Sequence, residues 1–192
     1  MVPSRSRSPL RTLVLAAAAL VSFACAGDDT FPTGLSALID RADTRPVALG
    51  TCDSLAAPQG AEVVFRAYAT GVQIYRWNGT AWGFVAPEAT LFVDSHNRGY
   101  LGTHFVGPTW ELSNGDFVKA AVQKRCPAGD TNIPWLLLGV NAGSDQGPLG
   151  DVTHIQRLNT VGGIAPATPG AAAGEERRVP YTAVYVFFRA LN

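Results

Sequence analysis

From Glu62 onward, short apolar segments recur at spacings of about ten residues with turn residues between them, the pattern of an all-β sandwich or barrel. Glu62 to Ala69 alternates, with Val63, Phe65 and Ala67 on one face, and Val72 to Trp77 follows after Gly71. Asn78-Gly79 stands between two aromatic-rich runs and predicts a tight hairpin into Ala81 to Val85, both central residues taking positive φ. Thr90 to Asp94 and Tyr100 to Phe105 are the next strands, and Ser113 to Asp116 turns Trp110 to Leu112 into Phe117 to Gln123. Ile133 to Val140 is almost continuously apolar and reads as a strand buried on both faces. Val152 to Leu158 alternates, with Ile155 and Arg157 on one side and Val152, His154 and Gln156 on the other. A Gly, Ala and Pro segment from Thr160 to Glu176 reads as a mobile loop before a final strand, Tyr181 to Leu191, that carries Tyr181, Ala183, Tyr185 and Phe187 on one side. The expectation is one antiparallel β domain over residues 61–192, a sandwich or flattened barrel of about eight to ten strands. An irregular arm over residues 27–60 precedes it, with a helical turn or two at Leu35 to Ala42.

Ahead of the arm the pattern is different. Arg5, Arg7 and Arg11 precede an uncharged run of Leu, Val and Ala from Thr12 to Ala24, which reads as an export signal over residues 1–26. That run is too short for a spanning helix, which needs about 20 residues. Its end has two readings: small-residue cleavage after Ala26, or a degenerate lipoprotein box that leaves Cys25 as a lipidated first residue. Either places the protein in the periplasm, at the cell surface or outside the cell. Cys52 and Cys126 are then the other cysteines in an oxidising compartment, and a single disulfide is the natural pairing, with two separate buried thiols as the alternative.

The whole chain is formally neutral, and loss of those three arginines leaves 12 basic against 15 acidic residues. No basic stripe suggests nucleic acid, and membrane association would rest on a lipid at Cys25.

Candidate chemistry concentrates in Gly102 to Glu111, where a histidine, a tryptophan and a carboxylate fall close together among Gly102, Gly107 and Pro108. His104 is either a general base or ligand-orienting donor, or a histidine satisfied by a backbone carbonyl. Glu111 with Asp94, Glu88 or His104 would suit a carbohydrate-directed hydrolase or lyase if two such groups met across a cleft. Trp82, Trp110, Trp135 and Tyr75 could supply sugar-stacking platforms. A metal held by His104, His154 and a carboxylate is conceivable, but no close histidine spacing encourages it. Arg157, sharing a face with Ile155, needs a carboxylate such as Glu111 or Asp94, or holds a ligand carboxylate bidentately. No Gly-x-Ser-x-Gly elbow or phosphate loop is present, and no cofactor is called for. The leading expectation is a non-catalytic ligand or cell-envelope binding module, polysaccharide included, with a site floored by Trp110 and edged by His104, Glu111, Arg157 and Tyr75. The catalytic reading and a purely structural surface protein are the alternatives.

Several motifs in one order carry a resemblance: Gly71-Val72-Gln73-Ile74-Tyr75, Ala86-Pro87-Glu88-Ala89, Gly102-x-His104-x-x-Gly107-Pro108-x-Trp110-Glu111, Ile133-Pro134-Trp135, Ile155-Gln156-Arg157-x-Asn159-Thr160-x-Gly162-Gly163 and Val179-Pro180-Tyr181-Thr182-Ala183. From about Ala61 to the C-terminus the chain resembles a family of exported bacterial and fungal proteins catalogued as a domain of unknown function, number thirty-four fifty-five (DUF3455). The resemblance implies an exported, mainly β domain without an established activity. It also implies a cysteine shortly after the Gln-Ile-Tyr segment and another after Gly-Gly-x-x-Pro. This chain departs from that pattern, with Trp77 at the first place and none from Ala167 to Ala173.

Overall fold

A computed structural model describes residues 34–191 together with residue 1. Both readings of the signal's end, the lipidation of Cys25 among them, lie outside the described residues. Eight strands run in order around one antiparallel ring: β1 (Ala61–Trp77), β2 (Trp82–Phe92), β3 (Tyr100–Phe105), β4 (Thr109–Leu112), β5 (Phe117–Cys126), β6 (Trp135–Gly143), β7 (Val152–Gly162) and β8 (Glu176–Ala190). β1 pairs with β8 from Ala61↔Ala190 to Arg76↔Glu176 and closes the ring.

The sequence pattern yields ten strands and the ring has eight, because the first four merge into two. Gly71 lies inside β1, paired with Ala89, where a Cβ would collide with the Glu88 carbonyl and Ala89. Glycine marks close passage of two backbones here, not a turn. Gly102 plays the same part in β3, where a Cβ would enter the Glu111 carbonyl. The hairpin at Asn78 also differs from the tight turn. Gly79 takes φ +99°, but Asn78 stays at negative φ and its Oδ1 accepts from the backbone N–H groups of Thr80 and Ala81, so four residues make the connection.

Alternation then sorts the side chains. Phe65, Ala67, Leu91, Leu101, Trp110, Ile155, Tyr185 and Phe187 fill the interior. In β7 a register shift between Val152 and His154 puts Val152 in that interior with Ile155, contrary to simple alternation. The outer faces of β6, β7 and β8 are apolar too, through Leu137, Leu158, Val184, Val186 and Phe188, because the arm lies over them with Val47, Leu49, Cys52 and Leu55. The Cys52–Cys126 disulfide ties arm to β5, and Gln156 Nε2 donates to the Leu55 carbonyl at 2.7 Å. The arm's helix α1 (Leu35–Arg41) carries apolar residues at i, i+3 and i+4, and Leu38 joins the interior cluster with Phe65 and Leu101. Farther on, Asp43 meets the buried Arg66 guanidinium at 2.9 Å.

The ring is uneven. β3 has 6 residues and β4 has 4, between neighbours of 11 and 10. β3 pairs with β2 only from Ala89 onward, and β4 reaches β5 only at Phe117 to Lys119. Residues 82–88 of β2 and 121–126 of β5 therefore face each other with no strand between, across the tip of the short β3–β4 hairpin. The wall has a window there.

Candidate ligand site

The window opens on a cavity of about 400 Å³. β2 supplies Phe84, Val85 and Pro87 to its rim, the hairpin tip Gly107 and Pro108, and β5 Val122 and Arg125. Val85 reaches the rim because the β1–β2 register slips one residue between Ile74 and Tyr75, leaving it without a partner. Phe84, Val85 and Val122 remain exposed, as does Val106 on the tip, so the entrance is apolar. Inside, Ile133, Leu136 and Leu138 form one wall, and His104, Trp110, Tyr75 and Tyr185 an aromatic one.

His104 and Trp110 are cross-strand partners with rings stacked at 4.3 Å, and Tyr185 meets both edge-on. His104 Nδ1 is 2.8 Å from the Thr109 carbonyl, so Nδ1 carries the proton and donates, leaving Nε2 as an acceptor. Burial pushes the imidazole pKa down from its ordinary 6.5 to about 3; the Thr109 hydrogen bond opposes this, and the Arg157 charge adds to it. His104 is neutral near pH 7.

Arg157 Nε and Nη2 both donate to the Pro134 carbonyl, at 3.2 and 2.9 Å, and the guanidinium also reaches the Tyr185 hydroxyl. Among the described residues it has no carboxylate partner, and the ion pair with Glu111 or Asp94 is not formed. Tyr75 donates to the Gly163 carbonyl at 2.7 Å, and the Tyr181 and Tyr185 hydroxyls lie 3.3 Å apart. Burial raises the pKa of all three phenols, which stay neutral.

Four of the five residues singled out from sequence, His104, Trp110, Arg157 and Tyr75, line this cavity. Glu111 does not. It pairs with Thr103, one position out of step with the His104–Trp110 pair, and stands exposed on the outer face. Asp94 is distant in role as well. Burial would raise its pKa, but backbone N–H groups of Arg98 and His96 and the Arg98 guanidinium bring it below the usual value. Glu88 is engaged on the outside with Arg178. The lining holds no carboxylate, so a pair of acids has no common substrate position here. Nor do the tryptophans make a sugar platform: Trp110 is 1 % exposed, Trp135 packs with the arm cluster, and Trp82 donates to Thr168 and leans on Trp77. The described residues contain no group of three His, Cys, Asp or Glu able to hold a metal.

Sequence reasoning missed Gln73 and Arg125. Gln73 is 2 % exposed, lines the cavity, and its Nε2 meets no acceptor at hydrogen-bonding geometry, although the amide sits near enough to the Tyr181 hydroxyl to favour its phenolate form. Trp110 Nε1 is likewise buried without an acceptor. A polar residue inside the otherwise apolar face of β1 was the available signal for Gln73. The β7–β8 segment, expected to move, is folded back: Trp82 and Tyr75 hold its carbonyls, and the Trp77 N–H donates to Glu175.

A family model described as protein of unknown function (DUF3455) matches residues 58–189. No curated protein and no solved structure matches the chain.

Proposed function

The chain belongs to the DUF3455 family, whose description assigns no activity, and on that premise we propose that it is a non-catalytic module that works after export and binds a small ligand of its cell-envelope surroundings through the window in its wall. The supporting observation is the cavity itself: about 400 Å³, apolar at its entrance, with a few polar groups converging inside, as small-molecule sites are built. A carboxylate-free lining and a neutral His104 whose Nδ1 is already engaged favour holding a ligand over cleaving one. The disulfide fits an oxidising compartment.

Nile red, a neutral apolar dye, tests this reading. Protein purified from the periplasm or medium should bind it one to one, and Val122→Trp, at the rim, should remove that binding with the melting temperature unchanged. Undiminished binding by the variant would show that the window is not the site, and native mass spectrometry of the exported protein would reveal any ligand carried through purification.

A further inference from the structure

The cavity is rich in donors and poor in acceptors. Its lining includes two buried side-chain N–H groups without acceptors, Gln73 Nε2 and Trp110 Nε1, and the half-buried Arg157 without a carboxylate. An unmatched buried donor costs about 1–3 kcal/mol, and a partly buried cation needs compensation. The three neighbouring phenols do not provide it, since burial keeps them protonated. Arg157 and Gln73 also stand close together in effect: one reaches the Tyr185 hydroxyl, the other lies beside the Tyr181 hydroxyl, and those oxygens are 3.3 Å apart. The two donors thus flank the same pair of phenols. Arg125, on the rim and with no ion pair among the described residues, adds positive charge at the entrance.

We propose that the ligand is a carboxylic acid with a compact apolar body, its carboxylate received by Arg157 and Gln73 and its body lying between the Leu136–Leu138 wall and the His104–Trp110 stack. A cavity of about 400 Å³ lies toward the low end of sites that enclose drug-sized ligands, so it admits a few fused rings or a medium-length chain. The proposal rests on the reading of the window as a ligand site and adds the chemical class.

Isothermal titration with 3-phenylpropionate and octanoate, each against its own primary amide, separates charge from shape. The acids should bind at least tenfold more tightly than the amides, and Arg157→Gln should erase the difference. Gln73→Met is the variant that distinguishes a binding role from a structural one. It removes an unmatched donor, so the melting temperature should hold or rise while affinity for the acids falls about tenfold. Equal affinity for acid and amide, or unchanged affinity in Gln73→Met, overturns the proposal. If Nile red binds but neither acid displaces it, the acid class is wrong and the binding module stands; if the dye does not bind either, both fall.

Discussion

His104 is where the sequence offered two opposed readings and the structure supplies one geometry. A histidine between glycines at a strand end looks catalytic by residue type, yet it is stacked on Trp110 and hydrogen-bonded to Thr109. A consequence is measurable. With its folded pKa near 3 and an unfolded value near 6.5, the native state takes up fewer protons than the unfolded state in between. Its contribution is fully present above pH 6.5 and is lost as pH falls toward 3, on the order of 5 kcal/mol over the interval. Chemical denaturation at pH 7, 5.5 and 4 should show that slope, and His104→Phe should flatten it; an unchanged slope in the variant would mean that other groups carry the acid sensitivity. The apolar and aromatic lining was legible at this scale because alternation fixes which side chains share a face. Glu111 was misplaced for the same reason: neighbours along a strand point apart, so closeness in sequence to Trp110 argued against a shared pocket. Gln73 went unread because a lone amide on an apolar strand face marks a buried polar contact without saying what that contact serves until its neighbours in space are known.

At the level of elements, the turn signals were read too uniformly. Glycine marks both sharp turns and places where strands pass in contact, and only neighbours in space distinguish them. Gly107, at φ +124° in the hairpin tip, belongs to the first kind, and Gly102 to the second. Gly102→Ala should therefore cost about 3 kcal/mol or more in urea unfolding, since the added methyl has backbone on the other side and nothing flexible to displace. A cost below about 1 kcal/mol, or a gain of the roughly 0.5–1 kcal/mol by which alanine ordinarily outdoes glycine in a strand, would show that β3 and β4 can part. The apolar run in β6 was more informative. Two buried faces implied a cover, and the arm is that cover, although nothing in residues 27–60 announced which strands it would lie on.

For the molecule as a whole, strand number, handover between strands and the position of the window depend on ring closure, which no local pattern encodes. The cysteine pair did predict a long-range tie. Cys52 and Cys126 are 74 residues apart in sequence, and on the chain-entropy model losing the bridge costs about 4 kcal/mol. Cys52→Ser with Cys126→Ser should lower the melting temperature and speed amide exchange in β6 and β8, where Leu137 and Val186 lie beneath the arm. Faster exchange confined to β2 and β3 would place the arm's influence elsewhere.

The ring closes by joining its first strand to its last, β1 to β8 along nearly their whole length. Until the final strand has emerged, the longest ladder in the protein has no second half, and contacts this remote in sequence form slowly. A polypeptide wired in this way cannot complete its core while it is still being synthesised. Through that interval it stays open to threading, which would suit the export proposed above.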